Sequence, residues 1–260
     1  MDVESITDAA DPRLDDFRDL TDADVRPDRR GIVIAEGVNV VERMVGSPYR
    51  MRAVVGVASR LDALRPALAQ RDAPAYAVDK WLLSEVVGFR VTRGVLASAD
   101  RPPALDAAEL VAAARRIAVL EGLNDFENLG SLFRNAAAFG VDAVLLDPTC
   151  ADPLYRRSVR VSMGHVLRIP FAVLPGAWPG ALDLLRGHGV TTLALTPRGE
   201  RPLRELAAPD RWAVLLGAEG PGLAAATLAA ADERVRIPMV AGVDSLNVAT
   251  AAAVAFAQLC

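Results

Sequence analysis

Three segments decide the fold of this chain: EGLNDFENLGSLFRNAAAFG (residues 121–140), LLGAEGPGL (215–223) and VRIPMVAGVDSLNVATAAAVAF (235–256). Each couples an apolar, strand-like stretch to a glycine-rich turn and then to a helix-like stretch. Few polar residues stand at these turns, namely Asn128, Arg134, Glu219, Ser245 and Asn247. Because α/β proteins bind ligands where strands lead into helices, the pattern predicts a ligand site built from all three segments.

Length and composition indicate a globular protein of one large or two ordinary domains. The chain has 260 residues, of which 52% are hydrophobic and 24% are charged. No apolar run approaches the roughly 18 residues that cross a bilayer, and the acidic N-terminus does not resemble a secretory signal. We therefore expect a cytoplasmic protein without a membrane partner. Two cysteines, Cys150 and Cys260, predict neither a disulfide framework nor a metal cluster.

The net charge of −4 argues weakly against a nucleic-acid partner, but it hides an asymmetry. Residues 1–24 carry nine acidic side chains against Arg13 and Arg18, a local charge of −7, which leaves +3 for the remainder. Lysine occurs once, at Lys80, so that 28 of the 29 basic residues are arginine. Arginine suits forked phosphate contacts, although a GC-rich genome would produce the same bias.

The pattern predicts two α/β domains joined by a linker. Residues 1–28 are acidic and are expected to be disordered. A small α/β domain is expected over 29–98, and a proline-containing linker over 99–106. In the small domain, two segments predict strands and three predict helices: 31–35 and 52–58, then 39–45, 61–69 and 80–87.

The second domain, residues 107–260, alternates predicted strands with helix-like stretches. The strands are predicted at 117–120, 143–146, 167–173, 190–195 and 212–216. Such alternation is typical of a mainly parallel sheet. The last helix, over 247–259, has only Thr250 and Gln258 as polar side chains after Asn247. Because a helix that is apolar all round needs burial on all sides, we expect a homodimer that uses it.

The glycine turn, which we define as residues 217–223, follows a strand and precedes a helix. Its glycines allow positive φ angles and a close approach of the backbone to a ligand. It matches neither the dinucleotide fingerprint nor the phosphate loop of nucleotide-binding proteins. Glu219 would repel a phosphate, so it favours a cationic ligand or one bound through hydroxyl groups. A plain strand-to-helix connection remains the alternative.

The other polar residues also have structural interpretations. Asn128 and Arg134 are six residues apart, which rotates a helix by about 240°, so the two do not share a face. Asn128 is then an entrance residue or an ordinary helix cap, and Arg134 a functional group or a surface ion pair. Ser245 is a fair cap for the last helix, which would leave Asn247 as a buried amide that needs partners.

Arg156, Arg157 and Arg160 form the densest basic cluster of the second half, in YRRSVR (155–160), ahead of SMGH (162–165). A solvated helix face and a phosphate-binding face are both compatible with this cluster.

Taken together, the segments resemble the SpoU (TrmH) family of RNA ribose 2′-O-methyltransferases, in the SPOUT superfamily. The family pattern N-x-G-x-x-x-R is matched by residues 128–134, L-G-x-E-x-x-G-L by 216–223, and I-P-M followed by S-L-N-V-A-x-A by 237–239 and 245–251. The basic segment with Ser162 and Gly164 is similar to the family's R-x-S-x-G stretch. The resemblance covers about residues 117–259.

The resemblance implies a C-terminal trefoil knot that binds S-adenosylmethionine. It implies cofactor contacts from backbone groups at Gly217, Ile237 and Leu246, with Leu216, Met239 and Thr196 beside them. It assigns the central catalytic role to Arg134, and it implies that Asn128, Glu219, Ser245 and Asn247 position the hydroxyl and hold the loops. No metal is implied.

The small domain looks like the family's N-terminal RNA-binding module. AEG (35–37) fits its usual opening, whereas the family's H-Q-G near the domain end is Thr92-Arg93-Gly94 in this chain. Expected RNA contacts are therefore Arg93, Arg156, Arg157 and Arg160. The predicted function is 2′-O-methylation of structured RNA, with 23S ribosomal RNA favoured. A tRNA substrate, a base methyltransferase, a non-catalytic RNA-binding protein and an unrelated nucleotide-binding enzyme remain as alternatives.

Overall fold

The structure is a computed structural model that describes residues 3–21 and 31–260. The chain divides into two compact units, Met1–Pro103 with Asp152–Arg168, and Ala104–Ala151 with Ile169–Cys260. The first division falls inside the predicted linker. The grouping of Asp152–Arg168 with the first unit differs from the expected contiguous domains.

The first unit contains a five-stranded mixed sheet in the part of the chain that the structure describes. Its strands are β1 (Val3–Ser5), β2 (Ile32–Glu36), β3 (Met51–Gly56), β4 (Ala75–Ala77) and β5 (Val95–Asp100). They lie in the order β1-β4-β3-β5-β2, with β5 antiparallel to both β2 and β3. The helices are α1 (Val38–Val45), α2 (Ala58–Leu68) and α3 (Lys80–Val87). Strands and helices thus alternate as predicted.

The boundary between small domain and linker needs a correction. Ser98, Ala99 and Asp100 complete β5, where they pair with Ile34, Val33 and Ile32 of β2. Ser98 is fully buried, and its hydroxyl donates to Asp16 Oδ2 at 2.8 Å. The two prolines at 102–103 lie in the connection, as predicted. Pairing with β2 extends β5 to Asp100, so the linker begins later than residue 99.

The prediction of a disordered N-terminus is wrong for residues 3–21. β1 pairs with β4 at the sheet edge, and a 3₁₀ helix spans Pro12–Phe17. Four apolar side chains among the acids are almost fully buried: Ile6, Leu14, Phe17 and Leu20. The acids are neutralised locally, since the Arg52 guanidinium bonds Asp16 at 2.7 Å and 3.1 Å. The rest of that prediction, residues 22–28, lies outside the described residues.

The second unit is a parallel sheet with helices between its strands. It begins with α4 (Ala107–Ala113), β6 (Arg116–Glu121), α5 (Phe126–Phe139) and β7 (Ala143–Leu146). The chain then enters the Asp152–Arg168 part of the first unit, which contains α6 (Arg156–Val161). Within the second unit, the remaining elements are β8 (Phe171–Val173), α7 (Asp183–Gly187), β9 (Thr191–Leu195), β10 (Arg201–Pro202), β11 (Trp212–Gly217), α8 (Ala225–Ala230), β12 (Glu233–Arg236) and α9 (Val248–Leu259).

The seven strands that the structure describes in this unit are all parallel, in the order β10-β12-β9-β11-β6-β7-β8. This confirms the predicted mainly parallel sheet. The strand expected over 167–173 is shorter, because His165–Leu167 form a 3₁₀ turn and only Phe171–Val173 are extended. Val166 and Leu167 are apolar because they are buried within this turn, and not because they belong to a strand.

The last helix, α9, packs one side on the unit's core. Six of its residues are buried, namely Val248, Ala249, Ala252, Ala255, Phe256 and Leu259. The Phe256 ring stacks on Trp212 with centroids 6.4 Å apart. Thr250, Ala257 and Gln258 are exposed. A single chain therefore leaves one side of the helix uncovered, and the homodimer that would cover it stays a prediction. No described helix has the length and apolar character needed to cross a membrane.

Candidate functional site

The carboxyl ends of four neighbouring strands define the candidate site in the second unit. β12, β9, β11 and β6 are adjacent and parallel, so their carboxyl ends lie at one edge of the sheet. Thr196, Ile237 and Met239 follow β9 and β12, and Gly217 ends β11. Most of the predicted cofactor residues therefore share one edge.

Two of the predicted cofactor residues differ in exposure. The Leu216 side chain is 2% exposed, so it belongs to the core and can offer a ligand only its backbone. Leu246 is 38% exposed in the loop that leads to α9. In the described part of the chain, the backbone of residues 237–246 makes one hydrogen bond to other backbone groups, from Val243 N to Val240 O. This loop therefore offers unused amide and carbonyl groups with little charge.

The glycine turn folds tightly back on itself. A Cβ atom on Gly217 would lie 2.2 Å from the carbonyl carbon of Gly222, so no other residue fits there. Gly220 and Gly222 have φ angles of +87° and +69°. The Gly222 amide donates to the Ala218 carbonyl at 2.9 Å, which closes the turn. Glu219 is exposed at its tip.

The entrance of α5 is capped by Asp125, a residue that the sequence reasoning did not select. Its carboxylate accepts from the amides of Glu127 and Asn128 at 2.9 Å and 2.7 Å. Asn128 lies in the first turn, and its side chain is not the cap. This decides between the two interpretations of Asn128, because its amide group is left for a contact outside its own helix.

The cap of α9 also differs from the expectation. Asn247, not Ser245, is the N-cap: its Oδ1 accepts from the amides of Ala249 and Thr250 at 3.0 Å and 3.2 Å. Ser245 is exposed two residues earlier. Asn247 is exposed as well, so the expectation that its amide is buried is wrong. The expectation that this amide has hydrogen-bond partners is confirmed.

The three motifs meet at the Asn247 side chain. Its Nδ2 donates to Asn128 Oδ1 at 2.7 Å and to Glu219 Oε1 at 2.6 Å. With two donated and two accepted bonds, the Asn247 amide is saturated. Among the described residues, the Asn128 Nδ2 donor and the second Glu219 oxygen make no hydrogen bond. Asn128 thus keeps a free donor and Glu219 a free acceptor, the two kinds of group that a hydroxyl can bond.

Arg134 lies on the same helix as Asn128, about 9 Å further along its axis at 1.5 Å per residue. It is exposed. Its guanidinium makes no hydrogen bond or ion pair with residues 3–21 or 31–260. The interpretation of Arg134 as a surface ion pair is therefore not supported. The next residue, Asn135, was missed by sequence reasoning: its Nδ2 donates to Ala249 O at 2.8 Å and joins α5 to the first turn of α9.

Cys150 lies beneath the loop that precedes α5, where its sulfur contacts backbone groups. Its Sγ accepts from Leu123 N at 3.3 Å and contacts Leu120 O at 3.4 Å. Burial, followed by the charge of Asp147, raises the pKa of Cys150 to about 12. The thiol therefore stays protonated at neutral pH.

The four predicted RNA-binding arginines lie in the first unit, not in the second. Arg157 and Arg93 are exposed, and Arg160 is half-buried. Arg156 is different: its guanidinium bonds the buried Glu36 carboxylate at 2.8 Å and lies 4.4 Å from the Phe89 ring centroid. Arg156 is thus committed to the interior of this unit, and it is withdrawn from the expected RNA contacts.

Comparison with known proteins places the site in context. Residues 115–257 match the model of the SpoU rRNA Methylase family. An uncharacterized tRNA/rRNA methyltransferase of Mycobacterium tuberculosis is 53% identical, over 98% of this chain and 91% of the relative. The 23S rRNA (guanosine(2553)-2′-O)-methyltransferase RlmP of Bacillus subtilis is 26% identical over 97% of each chain. The AdoMet-bound rRNA methyltransferase of Sinorhizobium meliloti shares the fold with a TM-score of 0.82 at 23% identity, covering 99% and 97% of the two chains.

Proposed function

Because this chain belongs to the SpoU family of rRNA methylases, we propose that it methylates a ribose 2′-hydroxyl of 23S ribosomal RNA. At the coarser level it is an S-adenosylmethionine-dependent RNA methyltransferase of the tRNA/rRNA type. The relative named as a 23S rRNA 2′-O-methyltransferase aligns over almost the whole chain, which supports the finer choice of substrate and position.

The observation that carries this proposal is the Asn247 side chain bonded to Asn128 and Glu219. It leaves the Asn128 Nδ2 free as a donor and the second Glu219 oxygen free as an acceptor, on two side chains that share one partner. A ribose hydroxyl that accepts from the first and donates to the second would be held with its lone pair oriented. Orientation of reacting groups is worth up to roughly 7–11 kcal/mol of a barrier. Ser245, exposed in the same loop, is proposed to help to hold that loop.

The cofactor residues fit the group that the family uses. When bound, S-adenosylmethionine would supply a methyl group that is already activated on a sulfonium. The chain's part is to bind it through the backbone at Gly217, Ile237 and Leu246, beside Thr196, Leu216 and Met239. Weakly charged loops with unused backbone groups suit such contacts, and Glu219 is compatible with a cation.

We assign Arg134 to orientation of the substrate. A guanidinium carries only hydrogen-bond donors and no acceptor, so it is a poor base. Its planar fork matches a phosphate group, and it is exposed without a protein partner in the described residues. Arg134 would therefore hold the phosphate beside the reacting ribose, while Asn128 and Glu219 hold the hydroxyl.

The first unit is proposed to bind the RNA around the target nucleotide. Arg93, Arg157 and Arg160 are the proposed phosphate contacts. Contacts of this kind fix the register of an RNA and leave its sequence unread. We place this activity in the cytoplasm, where ribosomal RNA would be its substrate.

The proposal includes a homodimer formed through α9 and a trefoil knot in the second unit. The outer side of α9 carries half-exposed Ala251, Ala253 and Val254, and the preceding loop exposes Val240 by 76%. A second copy would cover this apolar surface. The trefoil knot rests on the family resemblance alone and stays a prediction. Size-exclusion chromatography with light scattering of a Val254→Arg variant tests the dimer.

A tritium-transfer assay tests the reaction. The protein is incubated with methyl-labelled S-adenosylmethionine and with separated 23S, 16S and transfer RNA. We expect label in 23S RNA, at a position that resists alkaline cleavage because the 2′-oxygen is blocked. Label in transfer RNA would favour the tRNA alternative, and label on a base would overturn the 2′-position. Cofactor binding without transfer would favour a non-catalytic RNA-binding protein. Mapping 2′-O-methyl sites in a deletion strain then identifies the nucleotide.

A further inference from the structure

Glu121 is a half-buried carboxylate at the edge of the site, and the proposed reaction does not use it. It is the last residue of β6, where it lies opposite Gly217 of β11. Its carbonyl oxygen accepts from Ala218 N at 3.0 Å. The main chain of Glu121 therefore fixes the first end of the glycine turn.

The side chain of Glu121 reaches the other end of the same turn. Its Oε2 accepts from Ala224 N at 3.3 Å, directly after the turn. Its Oε1 accepts from the Thr227 hydroxyl at 3.0 Å and from Trp178 Nε1 at 2.9 Å. Trp178 Nε1 also lies 3.0 Å from the Thr227 oxygen, so the three side chains form one closed network.

The donors to this carboxylate are neutral. No arginine or lysine of the described residues lies within ion-pair distance of Glu121, and Thr227 is fully buried. The carboxylate thus serves as an acceptor for three donors, which an ionised glutamate can satisfy and an amide cannot. Hydrogen bonds to an ionised acceptor are also about twice as strong as neutral ones.

Between these two ends the turn has two further bonds, from Gly222 N to Ala218 O at 2.9 Å and from Asn247 Nδ2 to Glu219 Oε1 at 2.6 Å. Gly220 and Gly222 are exposed, and a Cβ on either would meet open space. Glycine has the largest backbone freedom of any residue, so the ordered shape depends on these two bonds and on the anchored ends together. The turn carries both Gly217, a proposed cofactor contact, and Glu219, which Asn247 holds.

We infer that Glu121 is a positioning residue: by fixing both ends of the glycine turn, it sets the cofactor-facing backbone and the place of Glu219. This inference rests on the proposed function for its link to cofactor binding. The Glu121 carboxylate is occupied by Ala224, Thr227 and Trp178, so we assign it no direct contact with cofactor or substrate. Its loss should therefore weaken cofactor binding more than it slows the chemical step.

Glu121→Gln is the sharpest test, because it keeps the shape but turns one acceptor oxygen into an NH₂ donor. Thr227→Val removes one of the donors, and Glu109→Gln is the matched control, an exposed glutamate on α4 of the same unit. Hydrogen exchange of residues 217–224 without ligand, titration with S-adenosylhomocysteine, and steady-state kinetics are measured for each.

For Glu121→Gln we expect faster exchange confined to the glycine turn and its flanks. The Kd of S-adenosylhomocysteine and the KM of S-adenosylmethionine should rise about tenfold, the effect of about one hydrogen bond, with kcat changed less than about threefold. Thr227→Val should likewise speed exchange in the glycine turn and raise the Kd. If Glu121→Gln does not fold, this variant tests the inference in its place. Glu109→Gln should match the wild type.

Unchanged exchange and unchanged Kd in both variants would overturn the inference. So would faster exchange spread over the whole second unit, since that indicates a general structural role. If the wild type fails to bind S-adenosylhomocysteine, the proposed function fails instead, while exchange in the glycine turn still decides the role of Glu121.

Discussion

Replacing Asn247 by aspartate separates its role as the cap of α9 from its role as the donor to Asn128 and Glu219. The substitution keeps an oxygen that accepts from the amides of Ala249 and Thr250, so the cap of α9 is preserved. It replaces the nitrogen that donates to Asn128 and Glu219 by a second oxygen. We expect a folded protein whose three motifs no longer hold together at the site.

The magnitude follows from the bonds that are lost. The bond to Asn128 is worth about 0.5–1.5 kcal/mol and the bond to the Glu219 carboxylate about 1.5–3 kcal/mol. Both bonds are accessible to solvent, so the lower ends apply, about 2 kcal/mol together. The new carboxylate oxygen replaces a nitrogen 2.6 Å from Glu219 Oε1, and after relaxation to about 4 Å the repulsion adds about 1 kcal/mol in water. A total of about 3 kcal/mol predicts a fall of roughly a hundredfold in kcat/KM.

The defect of N247D should also depend on pH. Two adjacent carboxylates raise the pKa of the pair above that of an isolated glutamate. Below this raised pKa one carboxyl is protonated, and its O–H can bond the other group. The ratio of mutant to wild-type kcat/KM should therefore rise as the pH is lowered from about 8 to about 5.5.

Tritium transfer measured over this pH range is the assay, with circular dichroism to verify folding. Gln70→Glu, an exposed amide-to-acid change in the first unit, controls for the added charge. Wild-type kcat/KM for N247D at pH 8, or a defect that does not vary with pH, would refute the reasoning. The first result would mean that the bridge is irrelevant to the reaction, and the second that the new carboxylate does not face Glu219.

The remaining predictions concern single residues. Arg134→Ala should lower kcat/KM by about a hundredfold with S-adenosylhomocysteine affinity intact, and near-normal transfer would contradict its central role. Gly217→Ala places a Cβ 2.2 Å from backbone of the glycine turn, so a loss of about 1–3 kcal/mol in the unfolding free energy and weaker cofactor binding are expected in melts and titrations. Arg156→Ala leaves the buried Glu36 unpaired and should destabilise the protein by about 3 kcal/mol, without changing the salt dependence of RNA binding. Cys150, whose pKa is raised to about 12, should resist alkylation at pH 8 in mass spectrometry while the exposed terminal cysteine reacts.

Sequence reasoning found the candidate site because its residues are tied to strand ends. Asn128, Glu219 and Asn247 lie 7, 2 and 11 residues after the ends of β6, β11 and β12, and parallel strands of one sheet bring such residues to one edge. Their shared edge therefore follows from order and periodicity, whereas their hydrogen bonds at 2.6 Å and 2.7 Å depend on the loops of the folded chain. The roles of these residues and the cofactor contacts rest on the family resemblance, and they stay proposals.

Finer features depend on choices that a pattern leaves open. Ser245 and Asn247 are both good helix caps, two residues apart, and burial of Val248 and Ala249 selects the later start. Asp125 competes with Asn128 in the same way. Phe17 and Leu14 look isolated in an acidic segment, and only the sheet edge formed from distant strands shows where they pack. Glu121 gave no signal, because its partners Trp178 and Thr227 are far away in sequence.

The grouping of Asp152–Arg168 with the N-terminal residues makes the chain pass between its two units three times. A fragment that stops at Pro103 would lack α6, and with it the guanidinium that neutralises Glu36. It would also lose the Arg43 bond to the Met163 carbonyl at 2.6 Å and the Asp152 partner of Arg101. Expression of the first unit in isolation therefore calls for both of its pieces, residues 1–103 and 152–168, because the first piece alone lacks these partners.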